Sequence, residues 1–195
     1  ITTGSENVAL GRGALSADTL GAHSVAVGFQ ALTTQNFTSA TDTYNVAVGY
    51  NSGKAVTTGT RNTLIGGLAG DATTTGVNNT ALGYAALTAN TTGGSNTASG
   101  YSALGSNTTG SDNVAVGRDA LLTNITGVKN VAAGNFSLRY NTGDNNTAAG
   151  HQALDINTTA SNNAAYGYRA LYLNTTGAQN TALGALALDA NTTAS

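Results

Sequence analysis

Apolar, small and polar residues recur along this chain with a fixed phase. An asparagine opens ten of eleven units (Ser24 the exception), followed by Val or Thr (except Ala164), then Ala (except Leu64), then Leu, Val or another mostly apolar residue, then Gly. That glycine falls at Gly11, Gly28, Gly49, Gly66, Gly83, Gly100, Gly117, Gly134, Gly150, Gly167 and Gly184, eleven copies with a usual spacing of seventeen residues. One spacing of 21 lies between Gly28 and Gly49, and one of 16 between Gly134 and Gly150. Both changes fall in the polar half of the unit, where a loop absorbs them. Numbering the unit so that this glycine is position five, position eight is always Ala or Ser, and position nine is Leu in nine copies. Positions twelve to fifteen converge on Asn-Thr-Thr-Gly.

Seventeen residues cannot hold the helix pair of a tetratricopeptide or ankyrin unit, which needs over about thirty. Val and Thr at position two, alternating small with large and closed by a polar turn, favour strand over helix. The pattern predicts an all-β fold, a parallel β-solenoid of eleven coils, each with two short strands and two turns. One repeat domain spans 1–195, with an irregular coil at 29–49. Like residues then stack about 4.8 Å apart, and eleven coils make a rod of roughly 50 Å. Asn79, Ala81, Gly83, Ala86, Leu87, Asn96, Gly100, Asn113 and Gly117 mark the repeat positions expected to carry the structure. Stacked asparagines predict a side-chain amide ladder. Glycine at position fifteen is expected to supply φ > 0 in the turn.

Composition sharpens this picture. The chain has 26 glycines and no proline, cysteine, methionine or tryptophan. Proline would remove a donor from a ladder paired on both sides. Charged residues make up 8% and the formal net charge is −2. Like charges stacked one coil apart would repel, so charge is sparse and mixed in sign. Nothing here supports nucleic-acid binding. No apolar run reaches the roughly 18 residues that span a bilayer, so this segment is not expected to insert in a membrane. The opening "ITTGSEN" reads as the middle of a repeat, so the chain is expected to be a piece of something longer.

Within positions one to five, one strand face reads Asn-Ala-Gly and the other Val/Thr with Leu/Val. A strand lacking charge on both sides is normally covered on both sides. A thin solenoid buries only its interior, so the second face calls for a partner, and identical chains are the simplest source. Positions six, seven and ten accept Arg, Asp, Gln, Lys and Tyr, which predicts an exposed second sheet. Ala at eight and Leu at nine both look buried although neighbouring strand residues point apart. Either the backbone bends there or a subunit interface covers one of them.

The units "NVALG" (7–11), "SVAVG" (24–28), "NVAVG" (45–49, 113–117) and "NTALG" (79–83, 180–184) resemble the head repeats of YadA-like trimeric autotransporter adhesins. With "ALxxNTTG" following, they also resemble repeat regions of phage tail fibres and large bacterial surface proteins. The resemblance covers all eleven units and departs from the adhesin heads in period, seventeen against about fourteen or fifteen residues. It implies a left-handed parallel β-roll, a homotrimer, flanking stalk or chaperone domains, and an extracellular place on a cell surface or virion tail.

Candidate chemistry is thin. A nucleophile needs a positioned base, and the two histidines, His23 and His151, occupy different unit positions and read as surface residues. No catalytic residue, metal ligand or cofactor is expected, and the protein is not expected to be an enzyme. Asn-x-Thr at Asn36, Asn90, Asn107, Asn124, Asn157, Asn174 and Asn191 matches a glycosylation signal, but the turn itself also demands Asn and Thr. Phe29, Tyr50, Tyr84, Tyr101 and Tyr168 share position six. As an exposed stripe they are candidate contacts for host or neighbouring-cell glycans, or a ladder that stabilises the outer sheet. Phe37 and Tyr44 are further candidate contacts on an inserted loop expected to bulge from the rod. Any ligand contact is therefore expected in 29–54 more than in 79–134, the alternative being a tolerated insertion with no role. The expected function is a structural and adhesive fibre segment. An ice-binding solenoid and an inert spacer are the alternatives.

Overall fold

The computed structural model describes residues 4–195; residues 1–3, the start of the repeat domain, lie outside the described residues. Eleven three-residue strands form one parallel sheet, with no helix among the described residues. They are β1 (Val8–Leu10), β3 (Val25–Val27), β5 (Val46–Val48), β6 (Thr63–Ile65), β7 (Thr80–Leu82), β8 (Thr97–Ser99), β9 (Val114–Val116), β10 (Val131–Ala133), β11 (Thr147–Ala149), β12 (Ala164–Tyr166) and β13 (Thr181–Leu183). Each pairs with the strand of the next coil in exact unit register, as in Ala81↔Ala98 and Ala98↔Ala115. The fold is a parallel β-solenoid. Two further strands, β2 (Gly21–Ala22) and β4 (Thr41–Asp42), pair in parallel beside the irregular coil.

The second strand expected in each coil does not form. Positions seven and nine take left-handed φ in every coil, as at Ala85 (55°), Leu87 (54°), Ser102 (51°) and Leu104 (52°). Alternating left-handed residues with ordinary ones removes the two-residue alternation that defines a strand. The backbone stays paired between coils regardless. Ala85 N donates back to Gly67 O at 2.9 Å, while Leu87 N and Ala89 N donate forward to Ala103 O and Gly105 O at 3.0 and 3.1 Å. This bend lets Ala at eight and Leu at nine face inward together. Ala86 and Leu87, like Ala103 and Leu104, are fully buried beside the position-three alanines Ala81 and Ala98. The core is thus one leucine and two alanines per regular coil, a narrow column.

Polar ladders complete the interior. In the first, each position-one asparagine accepts from its successor and ties its own coil shut. Asn113 Oδ1 accepts from Asn130 N at 2.9 Å and Nδ2 at 3.2 Å, and Asn113 Nδ2 donates to Gly127 O at 2.8 Å. In the second, at position twelve, Asn107 Nδ2 donates to Asn90 Oδ1 at 2.9 Å and to Gly110 O at 3.0 Å. Asn79, Asn96, Asn113, Asn90 and Asn107 are buried, so each amide replaces its lost water with protein partners.

The two recurrent glycines are required for different reasons. Gly83, Gly100 and Gly117 at position five sit at φ 137°, 143° and 131°, and a Cβ on Gly117 would come within 2.6 Å of the Gly134 carbonyl. Position fifteen departs from expectation, because Gly76 and Gly127 lie outside the left-handed region. A Cβ there would meet the next coil's carbonyl instead, Gly93 O at 2.6 Å and Gly143 O at 2.7 Å. The left-handed turn residue is position seventeen, as at Asn78 (57°), Ser95 (57°) and Asp112 (60°).

Candidate functional site

The position-six residues line one outer edge of the rod, because the left-handed residue at seven turns the chain inward immediately after them. Phe29, Tyr50, Tyr84, Tyr101 and Tyr168 are all exposed. Their rings stack along the rod: Phe29 on Tyr50 at 5.5 Å and 8°, Tyr84 on Tyr101 at 5.7 Å and 18°, and His151 on Tyr168 at 5.8 Å and 20°. Guanidinium groups extend the stack, Arg12 over Phe29 at 5.8 Å and Arg118 over Tyr101 at 5.8 Å. Faces that stack on one another are not offered to solvent, so the stripe presents ring edges and phenol hydroxyls. Sequence reading missed Arg12, Arg118 and His151 as members of this series. Their shared position six was the available signal.

Coils seven to ten add larger side chains on the same flank. Phe136, at position seven, receives Arg118 at 5.5 Å and Arg139 at 4.8 Å, with His151 edge-on at 5.8 Å. Arg139 also grips the fully buried Asp155 side chain with two bonds, Nε to Oδ1 at 2.8 Å and Nη2 to Oδ2 at 2.9 Å. Burial pushes the Asp155 carboxyl above its ordinary value, against the opposing hydrogen bond and charge of Arg139. A buried ion pair of this kind is costly to break but little evidence of net stability.

The irregular coil is built around a buried polar knot. Gln35 Nε2 donates to Asp18 Oδ2 at 3.1 Å and to Ser24 Oγ at 2.9 Å, while Asn45 Nδ2 donates to Gln35 Oε1 at 2.9 Å. Ser24 and Thr43 share a further hydroxyl contact. Phe37 does not sit on a bulge: it is 7% exposed, and the insertion is tied to the rod on either side of it, by Asn36 N donating to Thr57 O at 3.0 Å and by the β2–β4 pairing. Tyr44 is exposed and stacks on His23 at 5.1 Å. His23 lies between two carboxylates, Nε2 at 2.8 Å from Glu6 and Nδ1 at 3.1 Å from Asp42. The two acids flank opposite edges of the ring rather than converge on one point. No group of three or more such ligands is arranged for a metal ion among the described residues.

The sequons separate by burial. Asn90, Asn107, Asn124, Asn157 and Asn174 are buried rungs of the position-twelve ladder, so their amides are structural in the folded chain. Asn36 alone of those seven is exposed, and three further Asn-x-Ser/Thr sequences, at Asn78, Asn135 and Asn145, are exposed as well. The position-thirteen hydroxyls are likewise engaged, Thr74 Oγ1 donating to Thr91 O at 3.1 Å and Thr91 Oγ1 to Thr108 O at 3.0 Å.

The largest unusual surface is the outward side of the eleven-stranded sheet. Positions two and four project there, alternating with the fully buried alanines of position three. Leu82 is 50% exposed and Val116 45%, with Ile65, Val114, Val131 and Tyr166 also exposed. No pocket is present among the described residues, and no helix among them is long and apolar enough to cross a membrane. Compared with protein-family models, curated proteins and solved structures, the chain matches none.

Proposed function

We propose that this chain is a structural and adhesive segment of an extracellular trimeric fibre, on a phage tail or a bacterial surface, presenting or spacing a receptor-binding surface. The observation that carries the reading is the apolar outer face of the sheet, which runs from Val46 and Val48 to Ile65 and Leu82, is interrupted by Thr97 and Ser99, and resumes from Val114 and Val116 to Val131, with Tyr166 beyond. Contiguous apolar area of this kind marks an interaction surface. The face repeats once per coil, so a surface with the same repeat matches it along its length. Another copy of this chain has that repeat, and a closed ring of copies covers every such face. The sequence resemblance adds the number three, the stalk or chaperone neighbours and the location outside the cell. Structural support, rather than catalysis, is the role assigned.

An ice-binding role is less favoured because the position-thirteen threonines spend their hydroxyl protons on the neighbouring coil. Absence of thermal hysteresis distinguishes the fibre reading from it. Sedimentation velocity at micromolar concentration tests assembly directly. A species of three times the 19.2 kDa chain is expected, and a clean monomer overturns the reading.

A further inference from the structure

The stacked edge has one gap that neither backbone nor packing requires. Position six carries a side chain in ten coils and none at Gly67. Gly67 is outside the left-handed region, and a Cβ there would meet only Tyr84, Cδ2 at 3.4 Å and Cε2 at 3.7 Å, which is ordinary contact. The missing ring leaves the Gly67-side face of Tyr50 and the facing side of Tyr84 without an aromatic neighbour, since Tyr50 stacks on Phe29 and Tyr84 on Tyr101. Asn135 also lacks a ring, but there Phe136 lies between Arg118 and His151. After Gly67 comes Leu68, which has no ring to offer.

Two coils separate Tyr50 from Tyr84, roughly 10 Å at the usual strand spacing. Neighbouring rings of the stack stand 5.5 to 5.8 Å apart, so the gap accepts one more flat ring at the same interval. The two exposed tyrosine faces suit a ring with C–H groups on its faces and hydroxyls at its edge.

We infer that Tyr50, Gly67 and Tyr84 form a one-ring slot for an all-equatorial pyranose of the β-linked glucose or N-acetylglucosamine type. Such a ring carries C–H groups on both faces, whereas an axial hydroxyl, as in galactose, would set a polar group against one wall. The gap is an open notch on the rod surface and not an enclosed pocket, so the edge hydroxyls stay in water and the ring faces supply the contact. The inference deepens the adhesive reading and rests on it, naming the sugar class and the coil that would take it.

Cellohexaose titrated into the whole chain, followed by tyrosine ring chemical shifts, is the test. A single sandwiched ring gives a dissociation constant on the order of 1 mM, with shifts centred on Tyr50 and Tyr84. Gly67→Tyr fills the slot with the chain's own ring and is expected to weaken binding at least tenfold while thermal unfolding is unchanged or raised. Tyr84→Ala removes one wall and is expected to weaken binding similarly, which covers the case of a Gly67→Tyr chain that fails to fold. No shift at about 10 mM sugar, equal affinity for a galactose oligomer, or undiminished binding by both variants overturns the assignment. A slot that takes indole and leaves cellohexaose unbound also overturns it, in favour of a partner's aromatic side chain. A trimer that ignores the sugar removes the slot and leaves the fibre reading intact, while a monomer that binds it does the reverse.

Discussion

Leu64 occupies the volume that a leucine at position 70 would fill: its Cδ2 stands 2.7 Å from where a Cβ on Gly70 would sit. The same side chain places Cδ1 2.8 Å from a Cβ on Gly53. Gly53 and Gly70 are the two coils that lack leucine at position nine, and Leu64 is the one departure from alanine at position three. Three substitutions therefore describe a single repacking of the core column. Gly53 falls within the 29–54 stretch where ligand contact is expected from sequence, and volume accounts for its departure from leucine.

Leu64→Ala is expected to cost about 3 kcal/mol, because it opens a cavity between two glycines that cannot collapse into it. Gly70→Leu alone is expected to destabilise by overpacking. Combined with Leu64→Ala it should recover part of the loss, since leucine at position nine already sits at φ near 50° in other coils. Denaturant unfolding of the two single variants and the double variant measures the coupling. Additive effects would contradict the shared-volume account.

Gly117→Val is expected to lose about 4 kcal/mol or more, or to prevent folding, since its Cβ would drive into the Gly134 carbonyl at φ 131°. Ala115→Arg should be equally severe, as Ala115 is fully buried. A change of the exposed Asp112 to Asn, which retains left-handed tolerance, should stay within about 0.5 kcal/mol. Thermal unfolding of the three variants ranks them.

Removing one rung tests the amide ladder. Asn113→Ala leaves the buried Asn130 N–H without its acceptor, while the Gly127 carbonyl keeps Asn124 Nδ2 as a donor, at a cost of about 2 kcal/mol for the orphaned group. Hydrogen exchange should show the Asn130 amide losing protection ahead of amides several coils away. Uniform loss along the rod would mean that the ladder acts only as a whole.

Asp155 sets a pH dependence with a definite sign. Its carboxyl titrates above the ordinary aspartate value because burial outweighs Arg139. Between those two values the folded chain holds a proton that the unfolded chain has released, so this group's contribution falls as pH rises through that window. It returns as pH drops back. Asp155→Asn removes that slope, and the difference in stability between the two proteins, measured across the window, should vary with pH in this direction.

Much of the fold was legible because a seventeen-residue period leaves little choice: Asn at one, Ala at three and Gly at five fix which face turns inward. The trio Asn79, Ala81 and Gly83 lies where the alternation placed it. The second strand was not legible, since Leu87 and Leu104 adopt a conformation that leucine disfavours on its own, and only the pairing of neighbouring coils holds it there. For the same reason glycine was assigned to the wrong turn position: residues as varied as Asn78, Ser95 and Asp112 take the left-handed turn. Of the candidate contacts, the position-six rings are exposed as the pattern implied, while Phe37 is buried. Their face-to-face stacking depends on coil spacing and ring tilt, which no residue pattern encodes, so the gap at Gly67 became visible only with its neighbours in place.

A rod of near-identical coils has a hazard of its own. Each coil can mistake its neighbour's neighbour for its proper partner, and a chain paired one unit out of step loses only a single interface. Leu64 seated between Gly53 and Gly70 removes that ambiguity in the amino-terminal half. Shifted by one coil in either direction, its side chain meets Leu32 or Leu87 where it needs a glycine. The irregular core thus acts as the key of a lock, giving a periodic molecule one alignment along its own length.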